Sequence, residues 1–244
     1  MIPKKIHYVW VGGNPKPPKI QKCMRTWKRL KGYEIIEWNE SNFDIDAHPF
    51  VRAAYDAKKW AYVSDYIRAW AIYHQGGIYL DTDVFVIRTL DDLLNDRAFV
   101  GYERPDYPFT AVFGAEKGHP FVKKMLDYYD NLEKYSFNFE DNNTISVSNI
   151  LVEEYGCKLG NQPQLLAEGI RVYPDYVLCN QSLRSKTVHV FLSSWLDNSK
   201  FKARLHEFLR MRMNNKIAIF MYVIYAKIKA WTKNIFKLES SSEK

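Results

Sequence analysis

The stretch Gly76-Gly77-Ile78-Tyr79-Leu80-Asp81-Thr82-Asp83 places two glycines before a short apolar run and two carboxylates after it. Glycine accepts the left-handed backbone conformation that follows many helices, so the pair predicts a helix end. The apolar run predicts a buried strand. Alternate residues of an extended segment project to one side, so Asp81 and Asp83 can direct their carboxylates to a common point. Open α/β sheets bind ligands beyond the carboxyl ends of their strands, which is where this pair would lie.

Asp81 and Asp83 are candidate ligands of a divalent cation. Carboxylate oxygens suit Mg²⁺ and Mn²⁺, which are commonly held by one or two carboxylates together with substrate phosphates. The alternative interpretation is a solvated turn at the end of a strand. Upstream, Asp65 and Arg68 have the i, i+3 spacing that puts two side chains on one helix face. That spacing fits a functional pair and an ordinary helix salt bridge equally.

The flanking sequence predicts an α/β fold. Strands at Ile6–Val11 and Tyr33–Trp38 enclose a helix at Lys19–Leu30, and this β-α-β opening predicts a parallel sheet. A long helical pattern runs from Pro49 to His74. Further predicted elements are strands at Val84–Ile87, Leu93–Tyr102, Ala111–Ala115, Ile170–Tyr173 and Thr187–Phe191, helices at Pro120–Tyr135 and Ser148–Tyr155, and a loop at Asn138–Thr144.

Charge is distributed unevenly along the 244 residues, which carry a formal net charge of +7. Residues 200–244 contain eleven Lys and Arg against three Asp and Glu, so the preceding part is nearly neutral. A nucleic-acid-binding protein is expected to carry basic charge on the fold itself, so we expect no nucleic-acid partner. We predict one globular domain at 1–198 and a basic, amphipathic helical tail at 199–244.

The cysteines and the first residues bear on location. Cys23, Cys157 and Cys179 are odd in number and lack the spacing of a zinc site or a disulfide framework, which favours a reducing compartment. The opening residues have no apolar core of a secretory signal, so we expect a cytoplasmic protein.

The tail suggests a membrane surface. Its apolar run Ile217–Ala226 is shorter than the roughly 18–20 residues that span a bilayer. Basic residues on both sides of this run favour an interfacial helix on anionic lipid, which would place the protein peripherally on the inner face of the cell membrane. The alternative is a helix packed on the globular domain.

The ordered motifs resemble a known family. Ala61-x-x-Ser64-Asp65-x-x-Arg68 followed by Gly76–Asp83 resembles the signature of the DXD sugar-binding glycosyltransferases (family 32-like), which include yeast initiating mannosyltransferases and bacterial capsular polysaccharide transferases. Ile6-His7-Tyr8-Val9-Trp10-Val11-Gly12-Gly13 resembles the opening strand of the glucosylating domains of large clostridial toxins.

The resemblance implies a GT-A fold and a retaining glycosyltransferase that uses Mn²⁺ or Mg²⁺ and a nucleotide-sugar donor, in particular a UDP-sugar. It further implies a glycan acceptor, such as a lipid-linked intermediate of a surface polysaccharide. Two alternatives stay open at this point. One is a non-catalytic nucleotide-sugar-binding module, and the other is a membrane-surface scaffold on the same fold.

The resemblance also implies roles for individual residues. Trp10 would stack on the donor base, while Asp65 and Arg68 would hold the sugar and the diphosphate. Asp81 would contact the sugar or ribose and help to orient the metal, and Asp83 would ligate the metal. Tyr79 and Asn42 are further candidate donor contacts.

A final motif lies near the predicted domain end. Family members often carry His-His-x-x-x-Ser-Trp there, and this chain has His189-Val190-Phe191-Leu192-Ser193-Ser194-Trp195. Valine replaces the second histidine, so His189 is either a metal ligand or a structural histidine. Ser194 and Trp195 are expected near the phosphates.

Overall fold

A computed structural model describes residues 1–109, 111–132, 134–135, 137, 143–192, 220–221 and 224. The strands are β1 (Lys5–Val9), β2 (Glu34–Trp38), β3 (Gly77–Leu80), β4 (Val84–Val86), β5 (Ala98–Gly101), β6 (Val112–Ala115), β7 (Gln164–Leu165), β8 (Ile170–Tyr173) and β9 (Thr187–His189). The helices are α1 (Pro18–Met24), α2 (Pro49–Asp56), α3 (Trp60–Gln75), α4 (Pro120–Asp130), α5 (Asn143–Glu153) and α6 (Asp175–Leu178).

Within the described residues, the larger sheet has seven strands in the order β2-β1-β3-β6-β5-β8-β7. Strand β1 pairs in parallel with β2 and β3, and β5 pairs in parallel with β8. Strand β6 runs antiparallel to both β3 and β5, and β7 runs antiparallel to β8. The α/β class is confirmed, and so is the parallel opening, but the sheet as a whole is mixed.

Strand β3 is an interior strand of this sheet, between β1 and β6, and all four of its residues are buried. One apolar cluster brings together residues of α2, α3, α4 and α5, and a second includes Trp27, Leu93 and Leu178. Strand β3 contributes Tyr79 to the first cluster and Ile78 to the second, so the sheet is covered on both faces. Because β3 is packed on both faces, the residues that follow its carboxyl end, including Asp81 and Asp83, start from a rigid strand.

The predicted helix from Pro49 to His74 is two helices. Lys58 adopts a φ of 55°, Lys59 N–H donates to Ala54 O at 2.8 Å, and Lys58 N–H donates to Tyr55 O at 2.9 Å. These are the two hydrogen bonds of a Schellman motif, which ends α2 before α3 begins. The left-handed position is usually glycine, and lysine there gives no sequence signal.

Other boundaries differ from the predictions. Val84–Val86 and Thr187–His189 leave the main sheet and pair antiparallel with each other. The predicted strand Leu93–Tyr102 is a 3₁₀ turn at Asp91–Asn95 followed by β5, the predicted helix Pro120–Tyr135 ends at Asp130, and helix α5 begins at Asn143, inside the predicted loop.

Most of the C-terminal segment lies outside the described residues. The division at residue 198 and the helical basic tail therefore stay predictions. Phe220, Met221 and Ile224 are helical and exposed. Among the residues described, no helix combines the length and apolar character needed to cross a membrane.

Candidate metal and donor site

Two glycines bring the acidic pair into position. Gly76 ends α3 with a φ of 66°, and its N–H donates to Ile72 O at 2.8 Å. Gly77 has a φ of 118°, and a Cβ atom there would lie 2.8 Å from the Lys5 carbonyl oxygen. Only glycine therefore lets β3 approach β1 at this point, the first residue of the strand that leads to Asp81.

Asp81, Asp83 and His189 form one candidate metal centre. One ligand atom from each lies within 4.8 Å of the others. Asp81 follows β3, while the β4–β9 pairing sets Val84 opposite His189 and so brings the histidine back to the acidic pair. Two carboxylate oxygens and one imidazole nitrogen are a suitable partial ligand set for a divalent cation.

Asp83 is held on both carboxylate oxygens. Leu192 N–H donates to Oδ2 at 2.9 Å, and His189 Nε2 lies 3.3 Å from Oδ1. Burial raises the pKa of Asp83, but the neighbouring His189 reverses this effect and leaves the pKa below its usual range. Burial likewise lowers the pKa of His189, and Asp83 more than reverses it, raising that pKa well above 6.5.

The alternation of side chains from Val188 to Val190 accounts for valine, in place of a second histidine, at position 190. Val188 and Val190 are buried in a small apolar cluster with Cys23 and Phe85. Position 190 therefore faces the core of the protein, whereas His189 faces Asp83. A second histidine at position 190 would stand in an apolar environment.

Arg68 connects the metal centre to Asp65. Its Nη2 lies 2.9 Å from Asp65 Oδ1 and 3.2 Å from Asp81 Oδ1, and it donates to Ser64 Oγ at 2.6 Å. Tyr79 OH donates to Asp81 Oδ1 at 2.8 Å, and the guanidinium carbon of Arg68 lies 4.5 Å from the Tyr79 ring centroid. The Arg68 and Asp65 side chains are only 7% and 8% exposed, so this is a buried network and not a surface salt bridge.

Asp65 has a perturbed carboxyl group. Burial raises its pKa to about 6, while Arg68 opposes this rise and Asp81 adds to it. A carboxyl group with a pKa displaced by burial and by specific charged neighbours is typical of functional sites.

Trp10 and Asn42 lie in the loops that follow β1 and β2. Trp10 is half-buried, its Nε1–H donates to Asn14 O at 2.7 Å, and the Lys16 ammonium lies 5.4 Å from its ring centroid. Asn42 donates from Nδ2 to the Glu37 carbonyl oxygen at 2.7 Å, and its Oδ1 accepts from a backbone N–H of the same loop. Base stacking by Trp10 and a donor contact by Asn42 stay predictions. Ser194 and Trp195 lie outside the described residues.

Sequence reasoning missed the role of His7. Its Nε2–H donates to Gly76 O at 2.9 Å, and its Nδ1 accepts from Trp38 Nε1–H at 3.1 Å. His7 is fully buried and pairs with Tyr79 across the β1–β3 register, so it fixes the turn from which β3 starts. The available signal was a histidine within an otherwise apolar strand.

Part of the sequence that forms this site matches a family profile. Residues 17–100 match the family described as "Glycosyltransferase sugar-binding region containing DXD motif". The resemblance to the DXD sugar-binding glycosyltransferases, predicted from the sequence, is confirmed. This DXD region contains the Asp65, Arg68, Asp81 and Asp83 side chains described above.

Two of the curated relatives of this chain are proteins of Schizosaccharomyces pombe. The chain is 34% identical over 143 residues to inositol phosphoceramide mannosyltransferase 3, covering 57% of this chain and 39% of that protein. It is 28% identical over 204 residues to inositol phosphoceramide mannosyltransferase 2, covering 75% of this chain and 55% of that protein. The matches thus span about two-fifths to just over half of the length of these relatives.

A solved structure with a similar shape is the glycosyltransferase GlyE of Streptococcus pneumoniae TIGR4. The TM-score is 0.49 with 12% sequence identity, and the likeness covers 91% of this chain and 64% of that one.

Proposed function

We propose that this protein is a metal-dependent glycosyltransferase that transfers a sugar from a nucleotide-sugar donor with retention of anomeric configuration. The observation that carries the proposal is the convergence of Asp81, Asp83 and His189 within 4.8 Å, joined through Arg68 to the buried Asp65. Burial of several charged groups costs folding free energy, so their convergence supports a functional site.

Asp81, Asp83 and His189 would hold the divalent cation. Their two oxygens and one nitrogen leave the remaining coordination positions for phosphate oxygens, and a carboxylate-rich set favours Mn²⁺ or Mg²⁺. When bound, such an ion neutralises negative charge on a departing diphosphate.

The protein's own residues supply the fixed charges and the orientation. Tyr79 and Arg68 hold the Asp81 carboxylate at 2.8 and 3.2 Å, so this ligand is oriented before the donor arrives. Arg68 carries positive charge next to the site, which favours the negative charge that develops on the leaving nucleoside diphosphate. Trp10, half-buried beyond β1, would stack on the donor base.

The donor and acceptor follow from the relatives and from the resemblance. The two S. pombe proteins are named for transfer of mannose to inositol phosphoceramide. We propose for this chain a hexosyl donor, tested first as UDP-sugars and GDP-mannose, and a glycan or lipid-linked acceptor at a membrane. The exposed, helical Phe220, Met221 and Ile224 and the basic residues around them support attachment to the inner face of the cell membrane.

Nucleotide release tests the proposal. The purified protein is incubated with UDP-glucose, UDP-galactose, UDP-N-acetylglucosamine and GDP-mannose, each with Mn²⁺, with Mg²⁺ or with EDTA. We expect release of nucleoside diphosphate from one donor, dependent on the metal. Tight binding of that donor without release, even with added glycan or glycolipid acceptors, would indicate a binding module. No binding of any nucleotide sugar would refute the proposal.

A further inference from the structure

Helix α5 begins beside Asp65. The backbone N–H of Asn143, the first residue of α5, hydrogen bonds to the Asp65 carboxylate. The amino end of a helix carries partial positive charge, which suits a carboxylate. Helix α3 contributes the Asp65 carboxylate and helix α5 contributes the Asn143 backbone N–H. Two helices that are far apart in sequence therefore place polar groups next to each other.

The side-chain amide of Asn143 has no partner in the described part of the chain. Asn143 is only 5% exposed, and its Nδ2 makes no hydrogen bond there. A buried donor left in this state destabilises the folded protein, because it has lost its hydrogen bonds to water and gained none in return. Native proteins satisfy nearly all such groups, so an orphaned amide next to a functional carboxylate points to a partner that the ligand supplies.

The chemistry of the two groups defines that partner. An ionised carboxylate only accepts hydrogen bonds, an amide NH₂ only donates them, and a hydroxyl does both at once. A phosphate, which carries negative charge, would be repelled by Asp65. A neutral polyol fits the pair formed by Asp65 and Asn143, and a sugar is the part of a nucleotide sugar that has this chemistry.

We propose that Asn143 is a sugar-binding residue, whose amide donates a hydrogen bond to the oxygen of a sugar hydroxyl while the Asp65 carboxylate accepts a hydrogen bond from that hydroxyl. The inference rests on the proposed function, because it assigns the hydroxyl to the transferred sugar of the donor. Arg68 separates this position from the metal centre, since its Nη2 contacts Asp65 at 2.9 Å on one side and Asp81 at 3.2 Å on the other. The sugar would thus lie on the Asp65 side and the diphosphate on the Asp81 side.

Binding of two ligands to Asn143→Ala separates sugar recognition from nucleotide recognition. The probes are a nucleoside diphosphate with Mn²⁺ and the corresponding nucleotide sugar with Mn²⁺, measured by calorimetry. A single neutral hydrogen bond changes affinity by about 3- to 10-fold. We expect the affinity for the nucleotide sugar to fall by that factor, the affinity for the nucleoside diphosphate to stay within about twofold, and the melting temperature to be unchanged or higher.

Two further variants sharpen the test. Asn143→Asp keeps the size of the side chain and suits the start of a helix, but it cannot donate to the sugar; it should therefore lose more nucleotide-sugar affinity than Asn143→Ala. Ser148→Ala is the matched control, because Ser148 Oγ is also buried and without a partner among the described residues. Ser148 lies five residues along the same helix, about 7.5 Å further and about 140° around the axis. This control should change neither affinity.

The outcomes are distinct. If Asn143→Ala binds the nucleotide sugar as tightly as the wild type, or if its affinities for the two ligands fall by the same factor, the assignment of Asn143 is wrong while the proposed function stands. If the wild type binds no nucleotide sugar of the panel, the proposed function fails and the role of Asn143 fails with it.

Discussion

Asp83 and His189 each shift the pKa of the other, so a change at Asp83 affects two of the three candidate metal ligands. Asp83→Asn is therefore a direct test of the candidate metal centre. The amide keeps the shape of the side chain and can still accept the hydrogen bond from Leu192 N–H, but it removes the negative charge. Loss of a residue that only orients a metal ligand typically costs 10- to 100-fold in affinity or activity. We therefore expect Mn²⁺ affinity and metal-dependent nucleotide release to fall by more than about 100-fold.

The control for this change is Asp91→Asn, which alters an exposed carboxylate paired with Lys4. It should leave metal binding and nucleotide release unchanged. A folded Asp83→Asn protein with wild-type turnover would remove Asp83 from the metal centre.

His7 should make the stability of the protein depend on pH. Burial lowers its pKa from 6.5 to about 4, so between these values the unfolded chain binds a proton that the folded chain does not. The stabilising contribution is complete above pH 6.5 and is lost as the pH falls towards 4. The difference of about 2.5 units corresponds to up to about 3 kcal/mol in the free energy of unfolding.

His7→Gln provides the comparison, because glutamine has no titration in this range. Denaturant unfolding at a series of pH values should show that the wild type loses more stability than His7→Gln between pH 6.5 and 4. The comparison must be a difference between proteins, since Asp65, whose pKa is raised to about 6, contributes in the opposite direction. Parallel pH profiles would mean that His7 does not titrate in this way.

At the level of elements, the end of α2 offers a stabilising substitution. Lys58 occupies the left-handed position of the Schellman motif with a φ of 55°. A non-glycine residue in that conformation costs about 1 kcal/mol, which glycine avoids. Lys58→Gly should raise the melting temperature by about 2–4 °C. Lys59→Gly, at a position with a φ of −92°, should leave it unchanged or lower it. A lower melting temperature for Lys58→Gly would contradict this account.

Local patterns predicted the elements whose signals are local. The strands at β1, β2, β3 and β8 follow from apolar runs, and the end of α3 follows from Gly76. The break at Lys58 was not predictable, because no glycine or proline marks it. The separate β4–β9 sheet was not predictable either, because apolar strands carry no label for their partner.

The arrangement of the candidate site was likewise predictable only where its signals are local. Asp81 and Asp83 follow from their spacing, and the pairing of Asp65 with Arg68 from one helix face. The contacts of Arg68 with Asp81 and of His7 with Gly76 join separate elements, so they appear only when the sheet is assembled.

At the scale of the whole molecule, the basic tail should control membrane binding. The full-length protein is expected to sediment with liposomes containing anionic lipid, because each Lys or Arg near such a surface contributes about 1 kcal/mol, and salt should weaken the association. Truncation after residue 198 should leave the protein in the supernatant while nucleotide binding survives. Neutral liposomes serve as the control. Equal recovery of both proteins in the supernatant at low salt would favour the alternative, in which the tail is a helix packed on the globular domain.

The pairing of Val84 with His189 also sets an order of events during synthesis of the chain. Strands β1, β2, β3 and β6 end at Ala115, so these four can pair before β9 leaves the ribosome. At about 5–20 residues per second, the remaining chain takes several seconds to reach His189. A growing chain therefore exposes Asp81 and Asp83 without their third partner, so the candidate metal centre is complete only when His189 has been added, late in synthesis.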